Sequence, residues 1–518
     1  MKLVYDVQDK PPFKKTLVFA FQQMIAIMAA TLLVPILVSS YGLPTDVAAA
    51  LFGAGAGSLF YILVTKGKSP VFLGSSFTFL GAYAATVKLN YGYWGMLIGV
   101  GFAGLVYVII AIIIKLAGRN WVNKLLPPVI IGPIVALIGL SLSGTATNWI
   151  MGNGASEIVY TAFKEKVVVT VNGVDTIQEI FHPQTYNWIS ILCGVFTFIA
   201  IVAVSIKGNK TLKLIPFIVG IAAGYVVALI FTLIGKACGN TYLQVLDFTP
   251  FKEAFSPFRI QSIVDYPKFF LMKAIQTNGQ YTLDGAAIGN IAMIFVPIGV
   301  VELAQHISDH KNLGVIIERD LINDPGLDRT LIGDGVGSMI GSLFGGCANT
   351  TYGESIGCVA LTGNASIVTI ATAALGCMVL SFFTPFVVFI NSIPKCVMGG
   401  ACIALYGFIA VSGLQILKNV DLGDNKNLYV VSAILVTGIG GLFFGIARNN
   451  LTGEPFLNLT SLAAALIVGL VTNLLTHSGK SKFEDTNAGV AEFAENMDKA
   501  YKAEAEAEKE SAAKADAE

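Results

Sequence analysis

Twelve stretches of this chain are apolar over a length that can cross a bilayer, and no water-soluble fold has a use for so many. They run near 16–40, 46–65, 91–114, 125–143, 187–206, 214–235, 288–305, 328–345, 364–391, 396–417, 427–447 and 455–476. A helix needs roughly 20 such residues to span a hydrocarbon layer of about 30 Å. Two further segments, 71–86 and 349–362, are apolar but short, and each is interrupted, by Gly74-Ser75-Ser76 in one and by Asn349-Thr-Thr-Tyr-Gly-Glu354 in the other. Counted as broken spans, they bring the total to fourteen. Only 13% of the 518 residues are charged, about half the usual share in globular domains. The last 41 residues, Ser478–Glu518, hold 11 acids and 6 bases. They show no apolar periodicity and read as a charged tail, disordered or helical. A soluble multidomain enzyme and a nucleic-acid-binding surface are both excluded by this pattern.

The polar N-terminus, residues 1–15, leads into an apolar run with no cleavage pattern, so it precedes a first span rather than forming a signal peptide. The seven cysteines are scattered without a CxxC pair, which argues for small packing residues and against a zinc site or disulfide framework. Basic residues set the orientation. With the N-terminus inside, the inner span ends carry 17 Lys and Arg before the tail, whereas the short outer loops carry only Lys88, Lys395 and Arg448. Seven more are diluted through two long outer segments, roughly 144–186 and 236–287. A plasma-membrane protein with both termini in the cytoplasm fits this bias.

The sequence also repeats itself. Gly53-Ala-Gly55-Ala-Gly57-Ser58 recurs as Gly333-Asp-Gly335-Val-Gly337-Ser338, and the two broken spans follow at nearly the same offset. Downstream, Pro127–Gly132 pairs with Pro394–Gly399 and Ser143-Gly144 with Ser412-Gly413. Seven spans per half is an odd number, so the second copy must be inverted. Inverted halves with a helix interrupted at the same place in each point to a secondary transporter whose substrate sits near the midplane.

A helix that begins inside the membrane presents bare N–H groups and the positive end of its dipole, and it persists only where it faces protein, water or ligand. Close helix packing would be the bland account of Gly74-Ser75-Ser76-Phe77, and a structural cap that of Glu354. Glu302 is the second acid in an apolar segment, with His306 one turn on. A Glu302-His306-His310 metal cluster is conceivable, but a titratable pair within a membrane is read more economically as a proton-coupling element. Two acids plus two sets of backbone donors suit a ligand with both N–H and C=O edges, such as a nucleobase. Phe77, Tyr352 and Tyr406 would offer aromatic faces. No cofactor and no metal are expected.

The string Asn349-Thr-Thr-Tyr-Gly-Glu354-Ser-Ile-Gly357 resembles the signature of the nucleobase-ascorbate transporter (nucleobase:cation symporter 2) family in its uracil-permease form. Further agreement runs from about 14 to 476: Gln22-Gln23, Lys66-Gly-Lys-Ser-Pro-Val-Phe-Leu-Gly-Ser-Ser-Phe77, Glu302 with His306, Asp324-Pro-Gly-Leu-Asp-Arg329, and Val397-Met-Gly-Gly400 through Leu405-Tyr-Gly407. The resemblance implies an all-α polytopic fold of 14 segments in two inverted 7-segment repeats, with extended breaks in segments 3 and 10. It implies a core domain (residues 16–116 and 288–391, segments 1–4 and 8–11) moving past a gate domain (117–236 and 392–476, segments 5–7 and 12–14). Residues 144–186 and 237–287 would be external loops and 477–518 a cytoplasmic tail. It further implies proton symport and often a homodimer.

Carried over by position, Glu302 and Glu354 would bond the base and Phe77 and Gly353 would give backbone N–H groups. Tyr352 and Ser76 would line the site, Tyr406 would face it from the gate, and His306 would tune Glu302. One departure stands out: Ala360-Leu-Thr-Gly363 ends in glycine where uracil permeases usually have arginine. The expected activity is therefore proton-coupled uptake of uracil, with xanthine or uric acid as the alternative and an anion exchanger of the same architecture behind both.

Overall fold

The computed structural model describes residues 3–118, 121, 126–151, 158–171, 174–185, 187–209, 212–270, 283–418, 420–442, 444–447 and 455–476. The charged tail, 477–518, and parts of both long loops lie outside the described residues. Among the described residues eight helices are long and apolar enough to cross a membrane: Phe13–Ser40, Val47–Val64, Gly92–Ala117, Pro128–Met151, Trp188–Lys207, Pro216–Ala237, Ala287–Ile316 and Lys395–Leu417. The other apolar windows break up. Window 328–345 is a helix of 17 residues, Leu327–Leu343, and 364–391 splits into Ile367–Leu380 and Thr384–Asn391. The last two windows give helices Asn425–Ile439 and Ser461–Thr476, preceded or followed by short strands.

Local chemistry sets the helix ends. Asp46 and Asp284 accept hydrogen bonds from Ala49 N (3.2 Å) and Ala287 N (2.8 Å), capping two helices that begin in apolar surroundings. Asn187 caps a third, and Pro128 and Pro216 occupy first positions where no N–H is needed. The helix carrying Glu302 runs Gly285–Ile316, 32 residues. That is about 48 Å, well beyond the window expected from hydropathy, because its polar second half is buried against protein rather than lipid.

The two glycine strings cross each other. A Cβ on Gly57 would meet the Gly337 carbonyl oxygen at 2.9 Å, and a Cβ on Gly53 would meet Gly341 Cα at 2.8 Å, while Gly333 faces Tyr61. The same reciprocity marks the pair Pro128–Ser141 and Lys395–Leu417, where Gly139 abuts Tyr406 and Ala410, a Cβ on Gly132 would meet Gly413 O and one on Gly413 would meet Gly132 O. Only residues without a side chain permit backbones to approach this closely.

Strand Leu73–Ser75 pairs antiparallel with Asn349–Thr351, in the register Leu73 to Thr351, Gly74 to Thr350 and Ser75 to Asn349. Each leads into a short helix, Leu80–Lys88 and Gly353–Thr362. The expected breaks are thus one shared ribbon, in which each strand satisfies the other's backbone groups. Two hairpins depart from the all-α expectation, Ile158–Val171 with Val174–Thr185 and Phe444–Ala447 with Pro455–Leu459. The first replaces most of what reads as an external loop, and Ser143–Met151, also assigned to that loop, is helix. A run of β-branched residues on either side of Asn172-Gly173 carries the hairpin signal.

Candidate functional site

Glu302 stands midway along Gly285–Ile316 and is 2% exposed. A carboxylate so placed costs several kcal/mol unless it is hydrogen-bonded, and the paired strands supply the bonds. The Ser76 hydroxyl donates to Oε1, and Thr350 Oγ1 donates to Oε2 at 2.9 Å. Ser76 is itself fixed by its N–H bond to Ala348 O (2.8 Å), while Thr78 N donates to Ser76 Oγ (3.3 Å). One donor comes from each break. A hydroxyl can rotate to donate or accept, so this cradle can serve Glu302 either ionised or protonated. Beside Glu302 lies a small void, bordered also by Tyr107, Ser338 and Asn349.

His306, expected to tune Glu302, is fully buried and bonds to residues of the facing helix. Its Nδ1 is bonded to Asp334 Oδ2 at 2.7 Å and its Nε2 to Thr330 Oγ1 at 3.0 Å. His310 stacks on it with ring centroids 4.0 Å apart, donates to the His306 carbonyl (2.8 Å), and accepts from the Tyr61 hydroxyl (2.6 Å). These ring nitrogens meet Asp334, Thr330, Tyr61 and the His306 carbonyl. The i, i+4 spacing put Glu302 and His306 on one face, but Asp334, from the facing helix, takes the ring. Asp334, Asp309 and Thr350 were not singled out by sequence reasoning. Asp309 accepts from Thr351 Oγ1 at 2.7 Å, so consecutive threonines of one strand hold two acids two turns apart on one helix. Asp334 had a signal, an acid within a glycine string in an apolar helix; Thr350 and Thr351 sat in the polar interruption 349–354 with no role assigned to them.

The other expected residues flank this centre. Phe77 meets Tyr406 edge to face, centroids 5.7 Å apart, and both are buried. Among the described residues the buried Tyr406 hydroxyl meets no hydrogen-bond partner. The Tyr352 hydroxyl donates to Ser75 O at 2.7 Å, locking the two breaks together. Gly353 is exposed and Glu354 half-buried, at the start of the second short helix. Ile356 N bonds back to Tyr352 O at 3.2 Å, and Gly353 N lies ahead of it in the first turn, at the positive end of the helix. Ser355, next in line, accepts from Gln23 Nε2 and from Phe72 N (3.2 Å).

The permease family described by the Xan_ur_permease model matches residues 14–204 and 168–447. The chain belongs to that family. It is 36% identical over 478 residues to a uracil permease of Bacillus caldolyticus, covering 92% of this chain and 95% of that one. It is 34% identical over 490 residues to the uracil permease of Bacillus subtilis (strain 168), covering 94% and 98%. The uracil permease of Escherichia coli (strain K12) is 30% identical, covering 90% and 94%. Two solved structures share the fold. The murine anion transporter Slc26a9 in its inward-facing state has a TM-score of 0.53 at 12% identity, covering 92% of this permease and 70% of that chain. The transmembrane domain of the cyanobacterial bicarbonate transporter BicA has a TM-score of 0.50 at 13% identity, covering 92% and 100%.

Proposed function

We propose that this permease takes up uracil across the plasma membrane in symport with protons. Its similarity to uracil permeases over nine-tenths of its length carries the substrate, and the Glu302 cradle carries the mechanism. In this reading a base docks with Tyr406 facing it from the gate, and its N–H edge bonds Glu302 and Glu354. Its carbonyls take the N–H groups of Phe77 and Gly353, with Ser76 and Tyr352 holding the breaks in register. A proton on Glu302 from outside completes the site, and its loss inward accompanies release. The Ser76 and Thr350 hydroxyls reorient to serve both states. His306, paired with Asp334, acts on Glu302 through the electrostatics of one helix rather than by a direct bond.

The reading includes fourteen segments in two inverted repeats, a core moving past a gate, cytoplasmic termini and assembly as a homodimer. The reciprocal facing of Gly57 with Gly337 and of Gly139 with Tyr406 supports the repeat, since equivalent residues meet at an axis relating the halves. The fold likeness to anion transporters would favour an exchanger, but two carboxylates at the site would repel an inorganic anion. A purine remains the alternative cargo within the family. The test is labelled uracil uptake into vesicles under an imposed pH gradient, with competition by thymine, xanthine, uric acid and guanine. Uracil entry should acidify the lumen, and Glu302→Gln should abolish accumulation while retaining binding. Accumulation that proceeds equally well without the gradient rejects proton coupling, and stronger competition by xanthine or uric acid than by unlabelled uracil rejects the substrate.

A further inference from the structure

The N-terminal segment Leu3–Asp9 does not trail from the first helix but is built into the molecule beneath the second break. Val4 N and Tyr5 N donate to Gly363 O (2.7 and 3.2 Å), Ala365 N donates to Tyr5 O (2.9 Å), and Ile367 N donates to Val7 O (3.0 Å). Ser366 Oγ adds a bond to Asp9 O (2.6 Å). Val7 is fully buried in a cluster with Ile356 and Val359 of the short helix Gly353–Thr362, Leu73 of the first break, and Leu313 and Ile317 near the end of the Glu302 helix. Asp6 pairs with Arg319 (2.5 Å), just past that helix, and Gln8 Nε2 donates to Gly67 O (2.9 Å). One face of the short helix thus carries Glu354 at its start, while another rests on this strap.

Gly363 is where strap and helix meet. It ends the helix at φ +64°, and a Cβ there would lie 3.1 Å from Val4 Cγ2 and 3.3 Å from Val4 N. A left-handed backbone and a tight neighbour both call for glycine. This is the residue whose departure from the uracil-permease pattern leaves a purine substrate open.

We propose that Leu3–Asp9 is a positioning element for the helix that carries Glu354, and that Gly363 serves the docking of this strap rather than the choice of base. The proposal rests on the uracil reading for its kinetic test but not for its structural one. Deleting residues 3–9, or introducing Gly363→Val, should raise the KM for uracil by about fivefold or more with a smaller change in maximal rate. The order of competing bases should stay unchanged. Asp6→Arg should raise KM, and Asp6→Arg combined with Arg319→Asp should recover it, which a general loss of folding would not do.

A second readout needs no substrate. Cys358 lies buried in the short helix, and its maleimide labelling, followed by mass spectrometry of the purified full-length protein, should quicken by about tenfold once the strap is removed. Unchanged labelling together with unchanged KM overturns the strap's role, and a changed base preference in Gly363→Val overturns the assignment of Gly363. Wild-type vesicles that take up no uracil remove the substrate reading, and the labelling experiment then decides the strap alone.

Discussion

Gly57→Ala adds a single methyl group at the point where the helices Val47–Val64 and Leu327–Leu343 of the permease meet. Its Cβ would stand 2.8 Å from Asn349 Nδ2 and 2.9 Å from Gly337 O, where a methyl group needs about 3.5 Å. The helices Val47–Val64 and Leu327–Leu343 must part by roughly half an ångström, an overpacking that costs about 1–3 kcal/mol. Asn349 Nδ2 also bonds Gly53 O (3.0 Å) and Gly337 O (3.3 Å), and losing one of these adds about 0.5–1.5 kcal/mol. Alanine returns about 1 kcal/mol of helix propensity, leaving a net loss of about 1–3 kcal/mol. Asn349 heads the strand that holds Thr350 against Glu302, so the displacement reaches the cradle, and a shift of this size should lower uracil uptake roughly tenfold. Gly101→Ala is the control, since among the described residues nothing lies within 4 Å of a Cβ at that helical position. Thermal unfolding of both purified variants, alongside uptake in vesicles, gives the comparison. Equal midpoints for Gly57→Ala and Gly101→Ala would refute the close crossing.

Thr350→Val keeps the side chain's shape but removes one donor to the Glu302 carboxylate; hydrogen bonds to charged groups are worth about 1.5–3 kcal/mol, so uracil uptake should fall tenfold or more with the fold intact by thermal unfolding. His306→Ala removes a hydrogen bond to the fully buried Asp334, and leaving a buried polar atom unpaired costs about 1–3 kcal/mol. The double variant His306→Ala with Asp334→Asn should recover part of that stability in the same melt. Lys68→Ala loses an ion pair whose side chains are 40% and 68% exposed, and should change stability by less than about 1 kcal/mol and leave uptake at the wild-type rate.

Hydropathy is a local property, and it located what locality can locate: the membrane-crossing stretches, the two interruptions, and the acids out of place in apolar surroundings. Glycine strings, read against each other, also marked where two helices touch, since Gly53 and Gly57 face Gly341 and Gly337. What a helix touches is not written in its own periodicity. Hydropathy ended the Glu302 helix near 305, although its polar continuation is paid for by Asp334, Tyr61 and Thr351 on other elements. The i, i+4 spacing joined Glu302 to His306, whereas the fold gave Glu302 two hydroxyls from the breaks and gave His306 an aspartate 28 residues away. The hairpin flanking Asn172-Gly173 was legible and overlooked, since its turn signal was masked by treating everything between spans as loop. The docking of Leu3–Asp9 on Gly363 had no sequence signal at all: it joins backbone groups some 360 residues apart, and such bonds are decided by which ends of helices arrive at the same side of the membrane.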